Sequence, residues 1–322
     1  MKIGFLFPGQ GSQKVGMGKD LYETYEEVRK VYDKVSKITG INIKEISFEG
    51  PEKILNETQN TQLAILTHSL AILELLHKNG ITAQMSAGLS LGEYTALIEA
   101  KAISFEEGVK LVQKRGEIMQ NLTPKGNWKM AAIMGLESKE VEEACNKVQN
   151  GFVVPANYNT VGQIVISGEE EAVKEAGNIA QELGAKKVMF LNTAGPFHTE
   201  KLSKCSEALK EELDKVTINT KTNTKVIKNI DGKPYQEIDD IRTILAKHII
   251  NPVRFDKALQ TMLENEIDTF IEIGPGKTLS GFIKRMPSPN NINTININDT
   301  TTLEKAMERF GTRPNLSFFK YL

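Results

Sequence analysis

The chain has 322 residues, a formal net charge of −1, 40% hydrophobic residues and 25% charged residues. This length suits one elaborated α/β domain, or one large domain and a smaller one. The lysines and arginines are scattered rather than striped, and no apolar run approaches the length of a membrane-spanning helix. We therefore expect neither a nucleic acid nor a membrane as a partner.

The start of the chain and its cysteines favour a cytoplasmic location. The segment from Met1 to Pro8 has one basic residue and an apolar stretch that Pro8 cuts short, so it is too brief for a signal peptide and is typical of an opening strand. Cys145 and Cys205 lie in charged amphipathic stretches without CxxC spacing. This pattern indicates neither a disulfide framework nor a metal site.

The first 126 residues predict strands and helices around two glycine-rich turns. A capping-box pattern at Ser104 starts the last helix of this part, which carries Arg115. The predicted segments are a strand at 3–7, a glycine-rich loop at 8–18, helices at 19–38 and 62–78, a short small-residue segment at 83–87 and a helix at 104–121.

Residues 129–191 have a rhythm of their own. The pattern predicts strands at 130–134, 152–155, 163–167 and 187–191, and helices at 138–148 and 169–183. This β-α-β-β-α-β order is ferredoxin-like. We interpret residues 127–195 as a smaller subdomain inserted into a larger domain made of residues 1–126 and 196–322.

The remainder of the chain again alternates helices and strands. The predicted segments are a helix at 200–213, a strand near Val226-Ile227, helices at 241–249 and 255–265, a strand at 269–273 and a closing α-β-α series. Such alternation favours a mostly parallel sheet that is covered on both faces, which is an α/β fold. Only the tail after Gly311, with Arg313-Pro314-Asn315, is expected to be poorly ordered.

Gly88-Leu89-Ser90-Leu91-Gly92 fits the G-x-S-x-G pattern of a nucleophile elbow. Residues 84–87 before it are compatible with a strand and residues 92–98 after it with a helix, so the serine hydroxyl would stand above the sheet edge. The same five residues also occur as an ordinary turn in many proteins. The strand-to-helix context favours an α/β-hydrolase-like core with a parallel sheet and Ser90 as its nucleophile.

A serine nucleophile needs a base, and the chain contains four histidines. His68 and His77 fall within the predicted helix at 62–78, where an ordinary helical role is the simpler interpretation. His198 follows the junction Thr193-Ala194-Gly195-Pro196-Phe197, where the predicted insertion meets the larger domain and clefts often form. His198 is therefore the best candidate for the base, and His248 is either a supporting residue or a surface residue near a helix end.

Two glycine patterns that suggest nucleotide binding fail on spacing. Gly9-Gln10-Gly11 follows the first strand, but the third glycine of a dinucleotide loop would fall at Lys14. Gly276-Lys277-Thr278 resembles the end of a phosphate-binding loop, but the first glycine of that loop would fall at Ile271. Neither pattern supports a nucleotide cofactor.

Six short motifs occur in order along nearly the whole chain. They are Phe7-Pro8-Gly9-Gln10-Gly11-Ser12-Gln13, Ser90-Leu91-Gly92-Glu93-Tyr94, Gln113-Lys114-Arg115-Gly116, Asn157-Tyr158-Asn159, Gly195-Pro196-Phe197-His198 and Glu272-Ile273-Gly274-Pro275-Gly276-Lys277-Thr278-Leu279. Together they resemble the malonyl-CoA:acyl carrier protein transacylases of fatty-acid synthesis and the acyltransferase domains of polyketide synthases.

The resemblance implies a ping-pong reaction between malonyl-CoA and holo-acyl carrier protein. Ser90 would carry the malonyl group, His198 would act as base in both steps, and the backbone amides of Gln10 and Leu91 would form the oxyanion hole. Arg115 would hold the malonyl carboxylate through two parallel hydrogen bonds. Coenzyme A thioester is a substrate in this scheme, and no cofactor or metal is expected.

Three positions depart from the family pattern. Relatives commonly carry histidine where this chain has Leu89, which leaves methylmalonyl or another acyl group open beside malonyl. They commonly carry glutamine where it has His248, a position that would orient His198 either through its backbone carbonyl or through its side chain. Val161 replaces a frequent proline, a change we interpret as structural.

Two other functions stay open at this point. An esterase or an acyl-carrier-protein hydrolase would use the same serine, although no acid between Ser90 and His198 stands out as a triad member. A catalytically silent scaffold that binds the carrier is disfavoured because Ser90, His198 and Arg115 are all present. The basic pairs Lys186-Lys187 and Lys284-Arg285 are candidates to meet an acidic carrier, although solvated surface is the simpler interpretation.

Overall fold

The computed structural model describes residues 1–192, 195–288 and 291–312, which form an α/β structure with two five-stranded sheets. The strands are β1 (Ile3–Phe7), β2 (Met85–Gly88), β3 (Trp128–Met134), β4 (Val153–Thr160), β5 (Gln163–Glu169), β6 (Lys187–Leu191), β7 (Lys225–Val226), β8 (Val253–Arg254), β9 (Thr269–Ile273) and β10 (Asn293–Ile297). The helices are α1 (Lys19–Thr24), α2 (Glu26–Thr39), α3 (Ile43–Phe48), α4 (Glu52–Leu55), α5 (Thr58–Lys78), α6 (Leu91–Glu99), α7 (Phe105–Leu122), α8 (Ser138–Asn146), α9 (Glu170–Glu182), α10 (Ser203–Leu213), α11 (Ile241–His248), α12 (Phe255–Glu264), α13 (Thr278–Ile283) and α14 (Thr300–Arg309). Within these residues, no helix is both long enough and apolar enough to cross a membrane.

The larger sheet has the strand order β10-β9-β1-β2-β7, and all of its pairings are parallel. β1, β2 and β9 are buried along their whole length, as expected for a parallel sheet covered on both faces. The predicted α/β fold with a parallel sheet is thus confirmed. Phe7 pairs with Gly88 at the ends of β1 and β2, so the loops that follow these two strands meet at the same sheet edge.

The smaller sheet has the strand order β6-β3-β5-β4-β8. β3, β4, β5 and β6 pair antiparallel and, with α8 and α9, follow the β-α-β-β-α-β order that the sequence predicts. β8 comes from the C-terminal half of the chain and pairs parallel with β4. Because strands from both parts share this sheet, the subdomain boundaries at residues 127 and 195 stay a prediction.

The helix predicted at 19–38 is broken in the structure. α1 ends at Thr24. The next residue, Tyr25, has an extended backbone (φ −114°, ψ 128°), and α2 begins at Glu26. The break places the Tyr25 side chain in the core, where it is 1% exposed. The apolar spacing continues on both sides of the break, so the pattern alone does not reveal it. Helices α3 and α4 were not predicted from the sequence. The predicted tail around Arg313-Pro314-Asn315 lies outside the described residues.

Candidate active site

Ser90 occupies a strained turn between β2 and α6. Its backbone lies at φ 53° and ψ −98°, and a positive φ is uncommon for a residue other than glycine. The flanking glycines make the turn sterically feasible. A Cβ atom at Gly88 would overlap the backbone of Gly92, and one at Gly92 would overlap the carbonyl oxygen of Phe7. The predicted strand, sharp turn and helix are all present, with Ser90 at the carboxyl edge of the parallel sheet.

Asn229 holds this turn in place through two hydrogen bonds, although no role was predicted for it from the sequence. Its Oδ1 accepts a hydrogen bond from the Ser90 amide at 2.7 Å, and its Nδ2 donates to the Gly88 carbonyl at 2.7 Å. Asn229 is fully buried and follows β7, which is the strand next to β2. The sequence does contain a signal for this role, since Asn229 is a polar residue just past the predicted strand near Val226-Ile227. The carboxyl ends of neighbouring parallel strands meet at one sheet edge, which is where Ser90 lies.

We expect Asn229→Ala to weaken both the turn and the reaction. The substitution removes these partners of the partly buried Ser90 amide and the buried Gly88 carbonyl, and an unpaired buried group costs about 1–3 kcal/mol. Chemical denaturation should show a lower free energy of unfolding, and Ser90 should acylate more slowly. Asn229→Asp separates the two contacts, since it keeps an acceptor for the Ser90 amide but replaces the donor to the Gly88 carbonyl with an oxygen, and it should also lower both values. Alanine and aspartate variants with wild-type values in both measurements would contradict the assignment.

His198 lies against the nucleophile. Its Nε2 is 2.8 Å from Ser90 Oγ, and its Nδ1 is 3.1 Å from the backbone carbonyl oxygen of His248. A carbonyl oxygen only accepts, so Nδ1 carries the proton and Nε2 is left to accept one. Burial, together with the nearby Arg115 cation, lowers the pKa of His198 to about 4. The imidazole is therefore neutral at pH 7 and suited to act as a general base.

His248 contacts His198 through its backbone carbonyl, which is the first of the two alternatives that the sequence left open. Any residue at this position supplies such a carbonyl, so the histidine in place of glutamine leaves this contact intact. The two imidazole rings also lie close, with centroids 4.7 Å apart and an interplanar angle of 33°. Burial lowers the pKa of His248 well below its usual value, so its ring is neutral as well.

Arg115 reaches the site from α7, and its side chain is only 1% exposed. Nη1 donates to Gln62 Oε1 at 2.6 Å, and Nη2 donates to Ser90 Oγ at 3.1 Å. A Cβ atom at Gly116 would lie 2.7 Å from the Gln59 Cα atom, so glycine there lets α7 approach α5 closely. That approach brings Gln62 to the guanidinium and fixes its plane with one edge toward the nucleophile.

Gln10 and Leu91 line the cavity that also contains Ser90, Arg115 and His198. This cavity has a volume of about 330 Å³. Gln10 lies in the loop after β1, and Leu91 is the first residue of α6. Within the described chain, neither backbone amide donates a hydrogen bond to a protein acceptor. Two free N–H groups at the edge of a cavity that contains the nucleophile fit an oxyanion hole.

The other two histidines belong to different parts of the molecule. His68 is buried, with Nε2 3.1 Å from the carbonyl oxygen of Asn298. His77 lines a separate cavity near the end of α5. Both placements agree with the ordinary helical role that the sequence favours for these residues. Of the predicted junction before His198, Thr193 and Ala194 lie outside the described residues.

The fold and the site define a class of protein: a serine acyl-transfer enzyme of α/β architecture, in which a strained serine meets a neutral histidine and a buried arginine. Residues 4–302 match the family described as acyl transferase domain. The chain belongs to this family.

The relatives agree over nearly the whole chain. It is 41% identical over 309 residues to the malonyl CoA-acyl carrier protein transacylase of Bacillus subtilis, covering 95% of this chain and 96% of the relative. The crystal structure of the malonyl CoA-acyl carrier protein transacylase of Clostridium perfringens is 43% identical and superposes with a TM-score of 0.91, covering 97% of this chain and 98% of that one. A malonyl-transacylase in complex with a type II polyketide synthase acyl-carrier protein is 35% identical, with a TM-score of 0.91 and coverage of 96% and 100%.

Proposed function

We propose that this protein transfers a malonyl group from malonyl-CoA to the phosphopantetheine thiol of holo-acyl carrier protein, through an acyl-enzyme on Ser90. The observation that carries the proposal is the position of Ser90 Oγ, which lies 2.8 Å from His198 Nε2 and 3.1 Å from Arg115 Nη2. A nucleophile held between a neutral base and a buried cation suits an acyl donor that bears its own carboxylate. The product supplies chain extension in fatty-acid or polyketide synthesis.

In the first half-reaction, His198 Nε2 takes the proton of Ser90 Oγ while the oxygen attacks the thioester carbonyl. The negative charge that develops on the carbonyl oxygen meets the amides of Gln10 and Leu91. The tetrahedral intermediate then collapses, the carbon–sulfur bond breaks, and the proton on His198 passes to the departing coenzyme A thiolate. A malonyl ester on Ser90 remains.

In the second half-reaction, the phosphopantetheine thiol of the carrier gives its proton to His198 and attacks the malonyl ester. The same two amides stabilise the second oxyanion. The carbon–oxygen bond to Ser90 breaks, and His198 returns the proton to the serine. The cycle uses the coenzyme A thioester as a substrate and needs no cofactor in this proposal.

Arg115 is the proposed specificity residue. Its guanidinium is planar, so it offers two parallel N–H groups to the malonyl carboxylate, which a lysine does not. The contact with Gln62 holds the guanidinium in place before substrate arrives. An acetyl group would leave this buried cation without an anionic partner, so acetyl donors should be poor substrates.

The rival functions find less support. A hydrolytic triad places an acid on the second nitrogen of its histidine, whereas His198 Nδ1 contacts the His248 carbonyl. A silent scaffold would not need Ser90, His198 and Arg115 in mutual contact.

We also propose a cytoplasmic location, which the free thiols of Cys145 and Cys205 support.

Intact-mass measurement tests the proposal. The protein is incubated in turn with malonyl-CoA, acetyl-CoA and methylmalonyl-CoA, and holo-acyl carrier protein is then added. We expect a malonyl adduct that Ser90→Ala abolishes and that moves to the carrier. An adduct that is lost only to water would indicate a hydrolase, and no adduct from any donor would indicate a scaffold. The incubation with methylmalonyl-CoA also shows whether the enzyme prefers malonyl or methylmalonyl, a choice that Leu89 leaves open.

The pH dependence of acylation should reflect the low pKa of His198. A histidine with its usual pKa near 6.5 loses most of its base function as the pH falls to about 5.5. The pKa of His198 is about 4, so the loss of its base function should lower kcat/KM for malonyl-CoA only as the pH falls toward 4, and not with a midpoint near 6.5. Stopped-flow acylation at short times separates this fall from acid unfolding. A midpoint near 6.5 that persists when the buried acid Glu93, whose pKa burial raises to about 7, is replaced by glutamine would contradict the neutral, buried base.

A further inference from the structure

Glu93 is a buried acid directly beneath the catalytic residues. It lies in the first turn of α6, three residues after Ser90, and is completely buried. It does not line the cavity in which Ser90, His198 and Arg115 meet, so the proposed reaction assigns it no step. A buried carboxyl this close to a nucleophile nevertheless calls for a physical reason.

One oxygen of Glu93 belongs to the support of the nucleophile. Oε1 accepts hydrogen bonds from the Asn229 amide at 3.2 Å and from the Tyr235 hydroxyl at 2.7 Å. Asn229 in turn binds the Ser90 amide and the Gly88 carbonyl with its side chain. The carboxyl group therefore fixes the backbone of the residue that holds the elbow.

The other oxygen of Glu93 faces His248, the residue that contacts the proposed base His198. Oε2 lies 3.4 Å from His248 Nδ1, and within the described chain it has no hydrogen-bond partner. The backbone carbonyl of His248 is the group that contacts His198 Nδ1. The Glu93 carboxyl group thus contacts both Asn229, which binds the Ser90 amide, and His248, whose carbonyl contacts His198.

We propose that Glu93 is a positioning residue for acyl transfer, which acts on Ser90 through Asn229 and on His198 through His248. This inference rests on the proposed function, because it assigns the residue to that same reaction. Proton transfer from Ser90 to His198 depends on the distance between two side chains that come from different segments of the chain. A common support for both segments keeps that distance short, and misplacement by about 1 Å can cost on the order of 10²-fold in rate.

The electrostatic environment of Glu93 agrees with a functional role. Burial raises its pKa to about 7. The folded protein therefore retains a proton that an unfolded glutamate releases above a pKa of about 4.3, so the contribution of Glu93 to stability is lost as the pH rises toward 7. The titratable groups that interact with Glu93 from the surrounding elements are Tyr94, Arg115, Asp231, Tyr235 and His248. An ionisable group kept where it lowers stability at neutral pH is typical of a functional site.

Glu93→Gln tests the inference, with Glu99→Gln as the matched control. Glu99 is a second buried glutamate at the other end of α6, where its two oxygens accept from the Ser86 and Thr224 hydroxyls. Each variant is assayed for kcat and KM of malonyl transfer and for melting temperature at pH 5 and pH 8. Glutamine at position 93 keeps an acceptor for Asn229 and Tyr235 but replaces the oxygen that faces His248 with an amide nitrogen.

At pH 8, where Glu93 is mostly ionised, we expect Glu93→Gln to lower kcat about tenfold, with KM for malonyl-CoA within about twofold of the wild type. Its melting temperature should exceed that of the wild type at pH 8, and this gain should shrink at pH 5. Glu99→Gln should keep kcat within about twofold. A Glu93→Gln variant with unchanged kcat, or one that loses kcat together with melting temperature at pH 8, overturns the inference and leaves the proposed function intact. A wild-type protein that fails to transfer malonyl overturns both.

Discussion

His198→Ala is expected to slow acylation of Ser90 by about 10⁴-fold, near the upper end of what general-base catalysis contributes. His198 Nε2 lies 2.8 Å from Ser90 Oγ, and Arg115, the other side chain on that oxygen, is a cation that cannot take a proton. Without the imidazole, none of the described side chains that bind Ser90 Oγ can take its proton, which leaves water as the acceptor. The rate is measured by rapid quench and intact mass with saturating malonyl-CoA.

His77→Ala is the control for this loss. His77 is a histidine in the last turn of α5, and it lines a different cavity. Its removal should leave acylation within about twofold of the wild type. An adduct that forms on the His198→Ala protein within tenfold of the wild-type rate would exclude His198 as the base.

Arg115→Ala is expected to reverse the selection among acyl donors. We expect kcat/KM for malonyl-CoA to fall by about 10³-fold or more, because the substrate carboxylate would lose a bidentate, charge-assisted partner in a buried cavity. The value for acetyl-CoA should hold or rise, since acetyl no longer leaves a buried cation unpaired. The ratio of the two values, measured at equal protein concentration, is the readout.

Two further variants separate charge from general damage at this position. Arg115→Lys keeps the charge without the planar fork, so its malonyl preference should fall between those of the wild type and Arg115→Ala. Lys114→Ala removes an exposed cation from the neighbouring position of α7 and should change nothing. An unchanged malonyl-to-acetyl ratio in Arg115→Ala would refute the specificity role, whatever the total activity.

The strand-turn-helix around Ser90 was predictable because its causes are local. Glycines at 88 and 92 let β2, α6 and the Phe7 carbonyl approach each other. Both glycines lie within the five residues of the motif at 88–92, so the sequence pattern alone predicts the turn. The capping pattern at Ser104 likewise fixed the start of α7, where the Ser104 side chain accepts from the Glu107 amide. In contrast, the break at Tyr25 depends on how a ring packs in the core, and local spacing carries no information about it.

The choice of His198 over three other histidines used its position at a junction, and the structure places it against Ser90, 108 positions away in the chain. Arg115 was a different case. On its own it was one of several helical arginines, and only the motif resemblance singled it out. Its contact with Gln62 could not be predicted, because that contact depends on how closely α7 packs against α5.

The sequence by itself determined most of the elements, the parallel α/β class and the Ser90 turn, because periodicity, caps and small residues act over a few positions. The order of its motifs added Arg115 to Ser90 and His198. The tertiary structure alone decided what supports them. Asn229 binds an amide 139 positions away, and His248 supplies a backbone carbonyl 50 positions from its partner. Such contacts follow from strand order and helix packing. Every residue type has a backbone carbonyl, so the identity of the residue at position 248 does not predict this contact. A support made of backbone groups and distant amides is therefore visible only once the chain has folded.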